Sequence, residues 1–112
     1  MKDVYYYKAI VTKVYDGDTV TVDIDLGFGI QLNKQVVRLS NIDTPEIRGD
    51  ERTDGIISKN IVSDLILGKS IIIKTDKDTT GKYGRWLVEI YIDDLNVNEY
   101  LITEGYAERW VD

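Results

Sequence analysis

The chain holds no cysteine and no histidine, and only one proline, one phenylalanine and one methionine among its 112 residues. Without cysteine there is neither disulfide nor thiolate site, and nothing follows about redox compartment. Without histidine, the commonest general base and the usual zinc ligand are missing. Acid–base work then falls to carboxylates, tyrosines and bound water. No apolar run approaches the roughly 18 residues of a membrane span. Met1-Lys2-Asp3 does not open a signal peptide, so a cytoplasmic location is expected for the chain as it stands. Positive charge is scarce too: 14 basic against 20 acidic side chains leave a net −6, which argues against a broad non-specific grip on nucleic acid.

What is present reads as one soluble globular domain, residues 1–112, with 43% hydrophobic and 30% charged residues. The acid is unevenly spread. Residues 31–85 hold ten basic and eight acidic side chains, so the excess of acid lies outside the middle stretch. That asymmetry permits a local phosphate-binding face on an acidic protein.

The period of the apolar residues predicts the elements. Val4 to Val14 is aromatic and β-branched and reads as a strand, with Tyr5, Tyr6 and Tyr7 as edge packing. Asp16-Gly17 makes a tight turn. From Thr19, Val20, Val22, Ile24 and Leu26 alternate with Thr21, Asp23 and Asp25, the mark of a half-buried antiparallel strand. Gly27-Phe28-Gly29 turns the chain into a third strand, Ile30 to Leu39. Asn41 to Asp54 has no period and reads as a polar loop.

Ile57, Ile61 and Leu65 then recur at four-residue spacing, predicting a helix from Asp54 to Leu67, with Asp54 as N-cap and Gly68 as C-cap. Ser70 to Lys74 is a short strand and Thr75 to Gly81 a polar turn. In the next strand Trp86, Val88, Ile90 and Ile92 share one face. A short helix over Val97 to Glu104, capped by Asn96 and stopped by Gly105, ends the pattern, and Arg109 and Trp110 are expected to close the barrel. Five strands with a helix between the third and fourth match the OB-fold, a partly open five-stranded Greek-key barrel that is mainly β and α+β by content.

The chemistry gathers in three segments. Val37 to Leu39 delivers Arg38 to a break at Asp43-Thr44-Pro45-Glu46, where the chain's single proline stiffens a turn bearing two carboxylates. Asp16-Gly17-Asp18-Thr19 lies between two strands, and Lys82-Tyr83-Gly84-Arg85 just before another. Each alone reads equally well as a solvated turn. Asp18, Asp43 and a backbone carbonyl near Thr44 are hard oxygen donors of the kind that suit Ca²⁺ or Mg²⁺ rather than zinc or copper. The planar forks of Arg38 and Arg85 match phosphate oxygens two at a time.

With all three segments in this order, the sequence resembles the staphylococcal nuclease (thermonuclease) family, from about Ala9 to Ala107. The resemblance implies an OB-fold and a Ca²⁺-dependent phosphodiesterase that cleaves single-stranded DNA and RNA with little sequence preference, leaving 3′-phosphates. It implies Ca²⁺ held by Asp18, Asp43 and the Thr44 carbonyl, and Glu46 as general base or water-orienting group. By the same resemblance Arg38 and Arg85 contact the scissile phosphate, and Lys82 and Tyr83 a terminal phosphate and its neighbouring sugar or base. No protein partner is evident, and a monomer is expected. A second class stays open: an OB-fold nucleic-acid-binding module without catalysis.

Overall fold

The computed structural model describes the backbone of residues 4–80 and 86–111, and the side chains of residues 5–75 and 86–111. Three long strands form a meander. β1 (Val4–Asp16) turns tightly into β2 (Thr19–Gly27), which returns as β3 (Ile30–Leu39). Phe28 and Gly29, at φ 57° and 76°, are the two central residues of the β2–β3 turn. Positive φ at both is the conformation whose twist suits a two-residue hairpin.

After β3 come a two-residue strand, β4 (Ile42–Asp43), a 3₁₀ turn (Gly49–Glu51) and helix α1 (Arg52–Ile66). β5 (Ser70–Thr80) and β6 (Trp86–Ile92) follow, then β7 (Leu95–Asn96), α2 (Val97–Thr103) and β8 (Glu108–Arg109). The sheet runs β3-β2-β1-β5-β6, and a parallel pairing of β3 with β6 closes it, Val37 opposite Trp86 and Leu39 opposite Val88. This is the expected five-stranded barrel.

The core fills the barrel and the space beneath α1 and α2. Val11, Val20, Val22, Leu39, Ile73 and Ile90 come from the strands, Val62 and Ile66 from α1, and Leu101 from α2. Each strand contributes alternate residues, because successive side chains leave a strand on opposite faces. β1 is central rather than an edge, pairing with both β2 and β5. Its tyrosines divide accordingly. Tyr5 and Tyr7 stack on one side, centroids 6.2 Å apart and planes 14° from parallel.

Several expectations need correction. α1 begins two residues early: the 3₁₀ turn leads straight into it, Glu51 takes the N-cap position, and Asp54 falls inside the first turn. Residues 75–80 are strand, not a polar turn. β5 runs on to pair Val4 with Asp76 on one side and Thr80 with Trp86 on the other. The loop after β3 is not structureless, since Ile42 is fully buried and β4 pairs with β8, Ile42 opposite Arg109 and Asp43 opposite Glu108. The closure at the chain's end is therefore made by backbone. The side chains of Arg109 and Trp110 are exposed. Alternation also fails at strand ends: Leu26 and Trp86 are exposed, while Leu87 is buried.

α2 is as expected. The Asn96 carboxamide accepts from the Glu99 amide at 3.1 Å, and Gly105, at φ 81°, ends it.

Candidate active site

The β1–β2 turn and the segment after β3 meet at one end of the barrel. The Leu39 amide donates to the Asp18 carbonyl (2.8 Å), and the Thr44 amide donates to Asp18 Oδ2 (3.3 Å). Asp18 Oδ1 accepts from the Thr19 hydroxyl at 3.1 Å. A buried carboxylate needs such partners, since unpaired charge away from water is costly. Gly17 lets the turn come this close. A Cβ there would lie 2.9 Å from both Thr44 Cγ2 and Ser58 Cβ.

Arg38 enters the same site from β3. Its Nη2 lies 3.6 Å from Asp18 Oδ2 and 3.9 Å from Asp43 Oδ1, and donates to the Ile42 carbonyl at 3.0 Å. One guanidinium nitrogen thus bridges carboxylates from two segments 25 residues apart in the chain. The Arg38 side chain is only 15% exposed, so this engagement is screened less than a surface pair.

Among the described residues, negative charge is in excess of that single cation. Asp16, two residues before Asp18, has its carboxyl pushed up to about 7 by burial, by its hydrogen bond to Asp18 and by the Asp18 charge. Its Oδ1 accepts from the Asp18 amide at 3.1 Å. Asp43 is also raised, first by burial and then by Asp18, with Arg38 opposing and Glu51 and Glu108 adding to the rise. Below Asp43 a cleft of about 480 Å³ opens between β4, α1 and the turn after α2, and Asp43, Glu51, Asp54 and Glu108 all line it. Sequence reasoning took Asp16 for a turn residue. Its spacing of two from Asp18 was the available signal.

Glu46 stands apart from this cluster. Its carboxylate pairs with Arg48 Nε at 2.9 Å and is 62% exposed, and its amide donates to Glu51 Oε2 at 2.9 Å. The structure therefore brings together Asp18, Asp43, Thr44 and Arg38, with Glu46 on the following turn. Arg85, Lys82 and Tyr83 lie outside the described residues.

Two polar side chains that the sequence reading did not single out hold the surrounding elements. Asn98, buried on α2, accepts from the Ile90 amide (3.1 Å) and donates to the carbonyls of Val88 (3.0 Å) and Ser40 (3.1 Å). Ser58, buried on α1, donates to the Tyr106 carbonyl at 2.8 Å.

The donor set fits a hard divalent cation. Every candidate ligand is oxygen, two carboxylates already converge on one cation, and burial first, then Asp18, raises both Asp16 and Asp43. Among the described residues no three carboxylates converge as a preformed cage, so such an ion would keep water or substrate oxygens in its shell.

A small closed barrel with two carboxylates and an arginine at one end defines an OB-fold protein with a candidate phosphate- and metal-binding site. A sequence model of the family described as Staphylococcal nuclease homologue matches residues 36–111, and the chain belongs to that family. It is 33% identical to an uncharacterized protein of Methanocaldococcus jannaschii, over 96% of this chain and 60% of that one. It is 29% identical to a thermonuclease of Staphylococcus intermedius, over 88% of this chain and 56% of that one. It is 27% identical to endonuclease YhcR of Bacillus subtilis, over 93% of this chain and 9% of that one. The chain thus spans little more than half the length of the first two. No helix among the described residues is long and apolar enough to cross a membrane.

Proposed function

We propose that the protein is a Ca²⁺-dependent nuclease that hydrolyses phosphodiester bonds of single-stranded DNA and RNA with little sequence preference. The observation that carries this reading is the bridging of Asp18 and Asp43 by Arg38: two hard ligands and a phosphate-matching fork share one site. Asp18, Asp43 and the Thr44 carbonyl would hold the ion, which supplies Lewis-acid polarisation of a phosphate oxygen. On binding substrate, Arg38 exchanges part of its carboxylate pairing for phosphate oxygens, which its planar fork accommodates two at a time. Arg85 supplies the second fork. Lys82 and Tyr83 hold the neighbouring phosphate and sugar or base.

Glu46 takes the proton of the attacking water once it leaves Arg48. As the new P–O bond forms, the bond to the 5′ oxygen breaks, that oxygen leaves as a hydroxyl with a proton from solvent water, and a 3′-phosphate remains. The pairing of Glu46 with Arg48 favours a second reading, a nucleic-acid-binding module without turnover, because it occupies the proposed base.

Degradation of a single-stranded oligonucleotide in Ca²⁺, in Mg²⁺ and in chelator separates the two. Cleavage in Ca²⁺ alone, lowered roughly 10²–10⁴-fold by Glu46→Gln as for a lost general base, supports the nuclease. Binding without cleavage supports the module, and full activity in chelator refutes the metal role.

A further inference from the structure

The opposite end of the barrel carries a second opening that the proposed chemistry does not use. The start of β1, the β2–β3 hairpin and the ends of β5 and β6 nearest it frame a cavity of about 430 Å³. Its walls are Ile24, Val37, Ile73 and Val88, and Tyr5, Leu26, Leu32 and Trp86 form an exposed apolar rim. Above the rim stands the hairpin tip, with Phe28 fully exposed and Ile30 55% exposed. Monomeric proteins rarely leave so continuous an apolar patch to water, and such patches mark interaction surfaces.

The chemistry of the opening selects its occupant. A nucleobase would bring several polar edge atoms, yet the walls are apolar, and polar groups among the lining residues are confined to Gln35, Thr75, the Trp86 indole N–H and the two tyrosine hydroxyls. The Gln35 amide already donates to the Asn33 carbonyl, and the Thr75 hydroxyl to the Leu87 carbonyl. Unmatched polar edges in such walls are costly. An anionic lipid surface or a phosphate backbone fits no better, since residues 20–36 carry Asp23 and Asp25 against one lysine, Lys34. A hydrocarbon side chain is the matching ligand. The chain itself presents one, Phe28, on a two-residue turn only a few residues from the rim it would fill.

We propose that the barrel mouth is a self-association surface: two copies dock about a two-fold axis, each placing its Phe28 in the other's mouth. Knob and hole lie on the same face of one molecule, which is the condition for a closed, isologous pair rather than an open fibre. A specific interface begins at roughly 500 Å² per partner, and tip and rim offer towards it only the exposed faces of Tyr5, Leu26, Phe28, Ile30, Leu32 and Trp86. The pairing is therefore weak and concentration-dependent. It does not rest on the nuclease reading, and it departs from the monomer expected from sequence.

Sedimentation velocity of the full chain, from micromolar to millimolar concentration, tests it, with Trp86 emission followed in parallel in a Trp110→Phe background so that the second tryptophan does not contribute. A reversible dimer is expected, with a blue shift of the tryptophan emission as it forms. Phe28→Asn, which keeps a residue tolerant of positive φ on an exposed tip, should abolish both with an unchanged melting temperature. Leu32→Asn at the rim should do the same from the other half of the contact. A monomer at millimolar concentration, or a dimer that survives Phe28→Asn, overturns the proposal. So does a monomer whose Trp86 emission responds instead to a single-stranded oligonucleotide.

Discussion

The backbone of Gly55 on α1 lies against the carbonyl of Glu46, so close that a Cβ at position 55 would overlap the Glu46 carbonyl and crowd the Ile47 amide. Helix and site-bearing turn are in backbone contact. Gly55→Ala should therefore lose stability although alanine is the better helix former by about 1 kcal/mol. Overpacking typically costs 1–3 kcal/mol, and here the obstacle is main chain that cannot rotate away. Urea denaturation should show a lowered midpoint, and Ca²⁺ affinity should fall because the displaced turn begins at Asp43. A variant as stable as the parent would mean that the turn shifts freely.

Asn98 offers a test of how the barrel is tied to α2. Its carboxamide satisfies one amide and two carbonyls from β6 and the end of β3. Asn98→Leu keeps the branched shape and removes the partner of the Ile90 amide and the Ser40 carbonyl, while the Val88 carbonyl keeps the Ser40 amide and hydroxyl. At about 1–3 kcal/mol for each unsatisfied group, with partial relief by water, a loss of about 2–4 kcal/mol is expected in chemical denaturation. A loss below 1 kcal/mol would show that water replaces the side chain at no cost.

Much of the barrel was legible because its strands alternate: Val20, Val22 and Ile24 on β2, and Val88 and Ile90 on β6, are buried as their spacing predicts. Residues 75–80 were not, since Thr-Asp-Lys-Asp-Thr-Thr has no apolar member and is strand only through pairing with β1 and β6. β4 and β8 are two residues each and exist only as each other's partner. In the site, the residue types of Asp18, Arg38 and Asp43 were readable from their turns. That Arg38 faces the carboxylates, and that Glu46 pairs with Arg48, depends on side-chain directions that no spacing encodes. Asn98 and Ser58 bond to distant backbone, which leaves no local pattern.

The exposed pair between Arg109 and Glu99, with nitrogen and oxygen 2.8 Å apart, joins β8 to α2. The hydrogen bond from Arg109 and its charge hold the Glu99 carboxyl below its ordinary value, against a slight burial that opposes. A group depressed on folding stabilises above its unfolded pKa, and that contribution is lost as pH falls through the lower folded value. Arg109→Gln should thus melt slightly below the parent at neutral pH, with the difference vanishing in acid and in high salt. A difference that persists in both would assign the role to packing of the arginine stem instead.

Asp18 and Asp43 share Arg38 but should respond oppositely to loss of charge in the absence of metal. Asp18 accepts from the Thr44 amide and the Thr19 hydroxyl and is buried. Asp18→Asn should therefore cost about 1–3 kcal/mol in chelator, the usual loss when buried partners are left unmatched. Asp43 is half-exposed, and burial and its acidic neighbours disfavour its charge more than Arg38 favours it. Asp43→Asn should be neutral to about 1 kcal/mol stabilising in chelator, as at sites where function opposes stability, with solvent screening keeping the gain small. Excess Ca²⁺ should reverse the order. Mass action would raise the parent by about 2.7 kcal/mol at a hundredfold excess over Kd, while Asp43→Asn, lacking a ligand, should gain little. Thermal melts of the three proteins in chelator and in Ca²⁺ decide the matter. If Asp43→Asn loses stability in chelator as Asp18→Asn does, the pair with Arg38 is a structural strut, and the metal assignment fails with it.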